Sequence, residues 1–154
     1  MPTGTNAETD GDTMELATFY LGEAICGIDI LEIREINKKM DMTAVPQAPD
    51  YVRGILNLRG QIVTVIDLHR KLGLSESTLD NRARNIIVNS ERESIGLLVS
   101  RIGDFVTART DEVAVPPANI GDLQGKYFTG VTETKNQLIG ILNLRRILEE
   151  DASR

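Results

Sequence analysis

This chain is short of most of the residues that chemistry usually needs. A single cysteine, Cys26, cannot make an internal disulfide, which agrees with a reducing compartment. There is no tryptophan, and aromatics make up 4% of the residues, so platforms for stacking single-stranded bases are few. Positive charge is also in deficit: 17 Lys and Arg against 23 Asp and Glu give a net charge of -6, which repels polyanions and argues against a general nucleic-acid binder. No segment reaches the roughly 18 apolar residues that a spanning helix requires. The opening MPTGTNAETDGDT has neither a basic region nor an apolar core, so no secretory signal is expected and the cytoplasm is the default location.

Catalytic groups are equally scarce. The only histidine, His69, falls in the first turn of a short helix and reads as a solvated helix residue. With Cys26 alone in a strand, the pair supplies neither an activated thiolate nor the usual nitrogen and sulfur ligand set for a metal. The glycines match no phosphate-cradling pattern. Glu149 and Glu150 belong to a solvated tail at 149–154. No enzyme activity, cofactor or metal is therefore expected.

What the chain does contain is a repeat. The stretch Tyr51 to Leu72, YVRGILNLRGQIVTVIDLHRKL, returns without a gap as Tyr127 to Leu148, YFTGVTETKNQLIGILNLRRIL, keeping Tyr51, Gly54, Gln61, Leu68, Arg70 and Leu72 unchanged. Val63, Val65 and Ile66 are answered by Ile139, Ile141 and Leu142, so the apolar pattern recurs where identity does not. Gln61 to Ile66 is a β-branched run suited to a buried strand, and Asp67 stands where a helix N-cap would. Arg59 and Gly60 separate two apolar runs, as in a hairpin, and Gly60 is answered by Asn136, the next best residue for a left-handed turn. The unit reads strand, turn, strand, short helix.

The duplication reaches further. Leu16–Leu21 and Ala24–Ile30 read as a hairpin, as do Asn85–Val88 and Ser94–Val99, and CGIDILEIREI from Cys26 lies over IGLLVSRIGDF from Ile95. Glu32 to Ile36 reads either as a bent strand or as one short helical turn. Ala-Val-Pro at Ala44 recurs at Ala114. The expected organisation is a polar tail over 1–13, a domain over 14–148 built from halves 14–72 and 85–148 with an exposed loop at 73–84, and a final tail. About five short strands per half suggest a small closed barrel in each, with the two barrels packed together around a groove.

Arg53, Asn57, Arg59 and Glu35 are the informative polar residues. Arg59 is either a turn arginine that keeps a hairpin soluble or an interface anchor, since Arg makes planar bidentate bonds and is enriched at protein contacts. For Glu35, between Ile33 and Ile36, a solvent-facing place on an alternating strand and a functional contact both stay open, since no partner is in view.

Three segments, FYLGEAICGIDILEIREI, AVPQAPDYVRGILNLRGQIVTVIDL and IGLLVSRIGDF, resemble the CheW-like domain in order and spacing, over roughly residues 15 to 148. The block V-x-G-I-x-N-x-R-G followed by an apolar strand and Asp-Leu is the specific part. The resemblance implies a mainly β fold of two pseudo-symmetric five-stranded SH3-like barrels with short helices. It also implies a non-enzymatic adaptor joining the cytoplasmic tip of chemoreceptors to the regulatory domain of a histidine kinase, recruited to membrane-associated receptor arrays. With an initial Met and no ATP-binding, phosphotransfer or receiver segment, a stand-alone adaptor fits better than a kinase fragment. An adaptor for another kinase pathway, such as surface motility or biofilm control, is the alternative; a small barrel binding a ligand or nucleic acid is the remote one. Carried over by motif, Arg59 is the residue associated with receptor binding, with Arg53, Gly54 and Asn57 beside it and Glu35 in the E-I element. Apolar groove positions fall on Ile33, Met42, Ile86 and Ile102. Two positions depart from the family pattern: Thr64, where Pro is common, and Ser100, where Asp is usual.

Overall fold

Residues 12–38, 40–74, 79–90 and 93–152 are described by the structure, a computed structural model. The chain runs β1 (Thr13–Leu21), β2 (Ala24–Asp29), β3 (Ile33–Asn37), β4 (Val52–Leu58), β5 (Gln61–Asp67) and α1 (Leu68–Lys71). It continues through β6 (Arg84–Ser90), β7 (Glu93–Val99), β8 (Arg101–Arg109), β9 (Asn119–Ile120), β10 (Leu123–Gln124), β11 (Phe128–Thr134), β12 (Gln137–Leu142) and α2 (Leu144–Ala152). Both readings of Glu32–Ile36 occur in succession. A 3-10 turn at Ile30–Glu32, capped by the Asp29 carboxylate on the Leu31 N–H at 3.0 Å, precedes β3.

Some boundaries differ from the sequence reading. β1 already includes Thr13, opposite Arg109, while residues 1–11 of the expected tail lie outside the described residues. Within the expected loop at 73–84, residues 75–78 also lie outside, but Ala83 is buried, Leu79 packs on a core cluster and Arg84 opens β6. α2 runs to Ala152, into the segment read as a tail.

The two repeat units have matching local structure for a matching reason. Arg59 and Gly60, at φ 53 and 85, form the two-residue loop between β4 and β5; Lys135 and Asn136, at φ 51 and 62, do the same between β11 and β12. Positive φ at both central positions is the type I′ geometry, whose twist matches that of the strands it joins. Asp67 caps α1 by accepting from the His69 N–H at 3.0 Å, and Asn143 caps α2 by accepting from the Arg146 N–H at 3.0 Å. The N–H of Asp67 donates to Tyr51 O at 2.7 Å and that of Asn143 to Tyr127 O at 2.8 Å, tying each cap to the start of its own unit.

The strands form two five-stranded sheets, in the orders β11-β12-β2-β1-β8 and β3-β6-β7-β5-β4. This corrects the expectation of one barrel per contiguous half. Each sheet takes its first hairpin from one repeat and the remaining strands from the other. The exchange runs through two parallel pairings, β5 on β7 and β12 on β2, in which Val65 faces Gly96 and Ile141 faces Gly27. Those registers are equivalent under the repeat, so the sheets obey the pseudo-two-fold even though neither repeat completes a sheet by itself.

Each sheet is closed by a bridge outside the named strands. Thr43 and Ile55 exchange both N–H to O bonds at 2.8 Å, joining the segment after β3 to β4; Ala114 and Val131, at 2.8 and 2.9 Å, join the segment after β8 to β11. Gly54 and Gly130 make these approaches feasible. A Cβ on Gly54 would stand 2.6 Å from Thr43 O, and one on Gly130 would stand 2.9 Å from Ala114 O and collide with Val113.

Apolar burial is divided in the same pattern. Val63, Val65, Leu56, Leu58 and Ile87 cluster in the second sheet, and Leu16, Ala108 and Ile141 in the first. The largest cluster is shared: Phe19, Leu21 and Ile28 from the first sheet pack with Ile66, Ile86 and Leu97 from the second and with Leu68 of α1. A fully buried Leu or Ile contributes about 1.5–3 kcal/mol, so this shared cluster, and not surface polarity, holds the sheets together.

Gly54→Ala and Gly130→Ala should each destabilise the protein by about 1–3 kcal/mol in urea denaturation, because a backbone carbonyl has to move. Gly60→Ala, at a positive φ with no neighbour within 4 Å of the added carbon, should lose only about 1 kcal/mol. Wild-type stability in the first two variants would show that close approach at the bridges is not required.

Candidate functional site

The β4–β5 turn lifts Arg59 clear of the barrel, and its side chain is 65% exposed. The turn is rigid. Both loop residues hold positive φ, and Asn57 Oδ1 accepts the Gly60 N–H at 2.8 Å. The Arg59 guanidinium reaches across the closed barrel to β3, where it pairs with Glu35. Glu35 is fixed in turn by Asn37, whose Nδ2 donates to Oε2 at 3.1 Å. On the same strand Arg34 donates to Gln61 Oε1 at 2.5 Å and to Ser94 Oγ at 2.7 Å. Glu35 therefore does not face empty solvent; it is the seat of Arg59.

The bond from Asn37, then that from Arg59, holds the Glu35 carboxyl below the usual glutamate range. A depressed carboxylate pKa favours the ionised, paired form above the unfolded-state value, and that preference is lost as pH falls through the folded value. A carboxyl-carbon NMR titration should accordingly give Glu35 a midpoint below that of an unstructured glutamate, and Arg59→Ala should raise it. An unchanged midpoint in that variant would separate Glu35 from Arg59.

The remaining residues named from the sequence spread over several environments. Gly54 is taken up by barrel closure and presents no surface of its own. Arg53, about half exposed, sits at the opposite end of β4 from Arg59, with Nη1 3.5 Å from Oδ2 of buried Asp67. Ile33 and Ile102 are partly buried on different sheets and pack on the shared core. Ile86, expected at an apolar groove position, is fully buried in that core, on β6 between its sheet neighbours β3 and β7, and offers no exposed surface. Met42 packs instead on the core of the second sheet, beside Gly54.

His69 is the larger correction. It is 3% exposed, not solvated, because α1 lies back against the crossover between β7 and β8. Its Nε2 is 3.0 Å from Ser100 Oγ, and Nδ1 is 3.6 Å from Asp67 Oδ1. The same ring borders a cleft of about 780 Å³ with Leu21, Gly22, Leu74 and Leu123. The sequence carried one usable signal for this cluster, the departure to serine at Ser100. Cys26 is buried, and burial pushes its thiol up to about 12, which leaves it inert. Among the described residues, no group of three or more His, Cys, Asp or Glu side chains is placed to hold a metal ion.

Comparison with known proteins agrees with this architecture. The family model described as CheW-like domain matches residues 15–152. The chemotaxis protein CheW of Treponema pallidum is 33% identical over 140 residues, 88% of this chain and 82% of that protein. The probable chemotaxis protein CheW of Rhizobium etli is 32% identical over 142 residues, with 90% of each chain covered. Among solved structures, the scaffolding protein TtCheW of Thermoanaerobacter tengcongensis superposes with a TM-score of 0.81 at 28% identity, covering 87% of this chain and 86% of that one. A family match across nearly all of the folded chain, carried by relatives above 30% identity and by the same fold, leaves one assignment: the chain belongs to the CheW-like domain family.

Proposed function

We propose that this protein is a non-enzymatic chemotaxis adaptor that couples the cytoplasmic tip of chemoreceptors to the regulatory domain of a histidine kinase. Relatives named as chemotaxis proteins and a neighbour named as a scaffolding protein support the class. The observation that carries the specific reading is the Arg59 guanidinium, exposed on a rigid turn and held in one orientation by Glu35. Such preorganisation lowers the entropy lost on binding, and arginine's planar fork suits a carboxylate or backbone carbonyls on a partner. Receptor recognition is assigned to this face, with Arg53 and Asn57 on the same hairpin, while the partly buried apolar residues Ile33 and Ile102 shape the ground between the sheets. No helix among the described residues is long and apolar enough to cross a membrane, and recruitment to receptor arrays is assigned to the partners.

Arg59→Ala should weaken binding to a receptor-tip peptide by about 1–3 kcal/mol in a calorimetric titration. Stability should change by about half a kcal/mol, since an exposed ion pair contributes little to folding. Lys135→Ala is the control: it occupies the same turn in the second repeat and should leave affinity unchanged. Equal losses in both variants would assign the effect to general charge. Retention of a kinase regulatory domain from the chemotaxis pathway in a pull-down supports the proposed pathway, whereas retention only of one from a motility or biofilm pathway transfers the same adaptor role there.

A further inference from the structure

A line of polar groups runs from the exposed Arg53 through buried Asp67 and His69 toward the other sheet. It starts at Arg53 on β4, whose Nη1 is 3.5 Å from Asp67 Oδ2. Asp67 Oδ1 accepts the His69 backbone N–H at 3.0 Å and lies 3.6 Å from the ring nitrogen Nδ1. On the far side of the ring, Nε2 is 3.0 Å from Ser100 Oγ. Ser100 is fastened to the first sheet twice, through its own N–H donated to Tyr20 O at 3.0 Å and through the Gly22 N–H donated to its Oγ at 3.3 Å.

The charge beside Nδ1 decides the tautomer of the histidine. Nδ1 is buried and has no hydrogen-bond partner within ordinary range, so the side of the ring that carries the proton decides the energy. A lone pair on Nδ1 would point at a carboxylate oxygen; a proton there meets that oxygen favourably. With the proton on Nδ1, Nε2 is an acceptor, and Ser100 can donate its hydroxyl to it while receiving the Gly22 N–H. The polar groups then point in one sense from Gly22 to Asp67, the last step being a 3.6 Å electrostatic contact from Nδ1–H, and Arg53 stabilises the carboxylate at the end.

We infer that His69, held as the Nδ1–H tautomer between Asp67 and Ser100, is a positioning residue that links the Arg53 end of the proposed binding hairpin to the β1–β2 turn of the other sheet. This rests on the reading of Arg53 as part of the partner-binding face. An acidic partner segment that draws Arg53 from Asp67 takes the guanidinium charge away from that carboxylate, strengthens its pull on the Nδ1 proton, changes the hold of His69 on Ser100, and is felt at Gly22. The inner end of the line borders the cleft lined by Leu21, Gly22, Leu74 and Leu123, so occupation of the hairpin alters the wall of that cleft. The linkage runs through a series of ion-pair, electrostatic and hydrogen-bond contacts that joins the two elements.

The single histidine makes the test direct, because ring signals in the full-length chain belong to His69 alone. Nitrogen-15 spectra of the wild type should show a protonated Nδ1 and an unprotonated Nε2. Arg53→Met, which keeps the apolar stem and removes the donor, should shift both ring signals and the Gly22 amide. Arg70→Met removes an equally exposed arginine, paired with Asp50 at 3.7 Å, and should leave all of these signals in place. Ser100→Ala should lose protection of the Gly22 amide from exchange and move Nε2, and Ser100→Thr, which keeps the hydroxyl, should restore both. A protonated Nε2, or ring and Gly22 signals unmoved by Arg53→Met, overturns the inference. Arg53→Met is a surface change, so the outcome does not depend on Ser100→Ala folding. No partner is present in these measurements, and a failure here is therefore distinct from a failure of Arg59→Ala to weaken receptor binding.

Discussion

Two parallel strand pairings govern everything else in this molecule. β5 can reach its neighbour β7, and β12 its neighbour β2, only by leaving its own repeat, since parallel neighbours need a long crossover instead of a tight turn. Each repeat therefore contributes a hairpin that the other repeat must cover. The shared apolar cluster follows from that exchange, because the crossovers bring Phe19 and Ile28 against Ile66 and Leu97. Neither half can be removed without exposing an unpaired edge on the other, so stability and pseudo-symmetry have one source.

The candidate site inherits its rigidity from this arrangement. Arg59, in the turn after β4, and Glu35, on β3, belong to opposite edges of the second sheet, and they meet because the Thr43–Ile55 bridge curls that sheet closed. The equivalent turn in the first sheet, Lys135 and Asn136, has the same backbone but carries neither the arginine nor the asparagine anchor that Asn57 supplies. Duplication thus produced two similar turns, and side-chain substitution made one of them a seated guanidinium. The ion pair adds little to folding in water; its consequence is orientation.

The polar line through Asp67, His69 and Ser100 has a different standing. It runs through a low-exposure region where an unsatisfied group is costly, so its bonds must be directionally consistent. Its members are caps and crossover residues, each with a backbone duty besides its side-chain contact. That double use places a polar path between two sheets without a break in the apolar cluster around it.

The sequence by itself determined the local units. The offset of Tyr51–Leu72 from Tyr127–Leu148, the β-branched runs, Asp67 as a cap, and Gly60 and Asn136 as turn residues are short-range features whose physics lies within a few residues. Arg59 and Glu35 were both legible as informative, through the hairpin and through the family motif. Their contact was not, because it depends on barrel closure between segments far apart in the chain. Strand exchange was beyond the sequence for a sharper reason: Gly27 and Gly96 stand in equivalent surroundings, so pairing within a repeat and pairing between repeats satisfy the same pattern. The burial of His69 and of Ile86 likewise came only from tertiary structure, which decides what lies over a helix turn or a strand face, whereas periodicity decides only which residues share it.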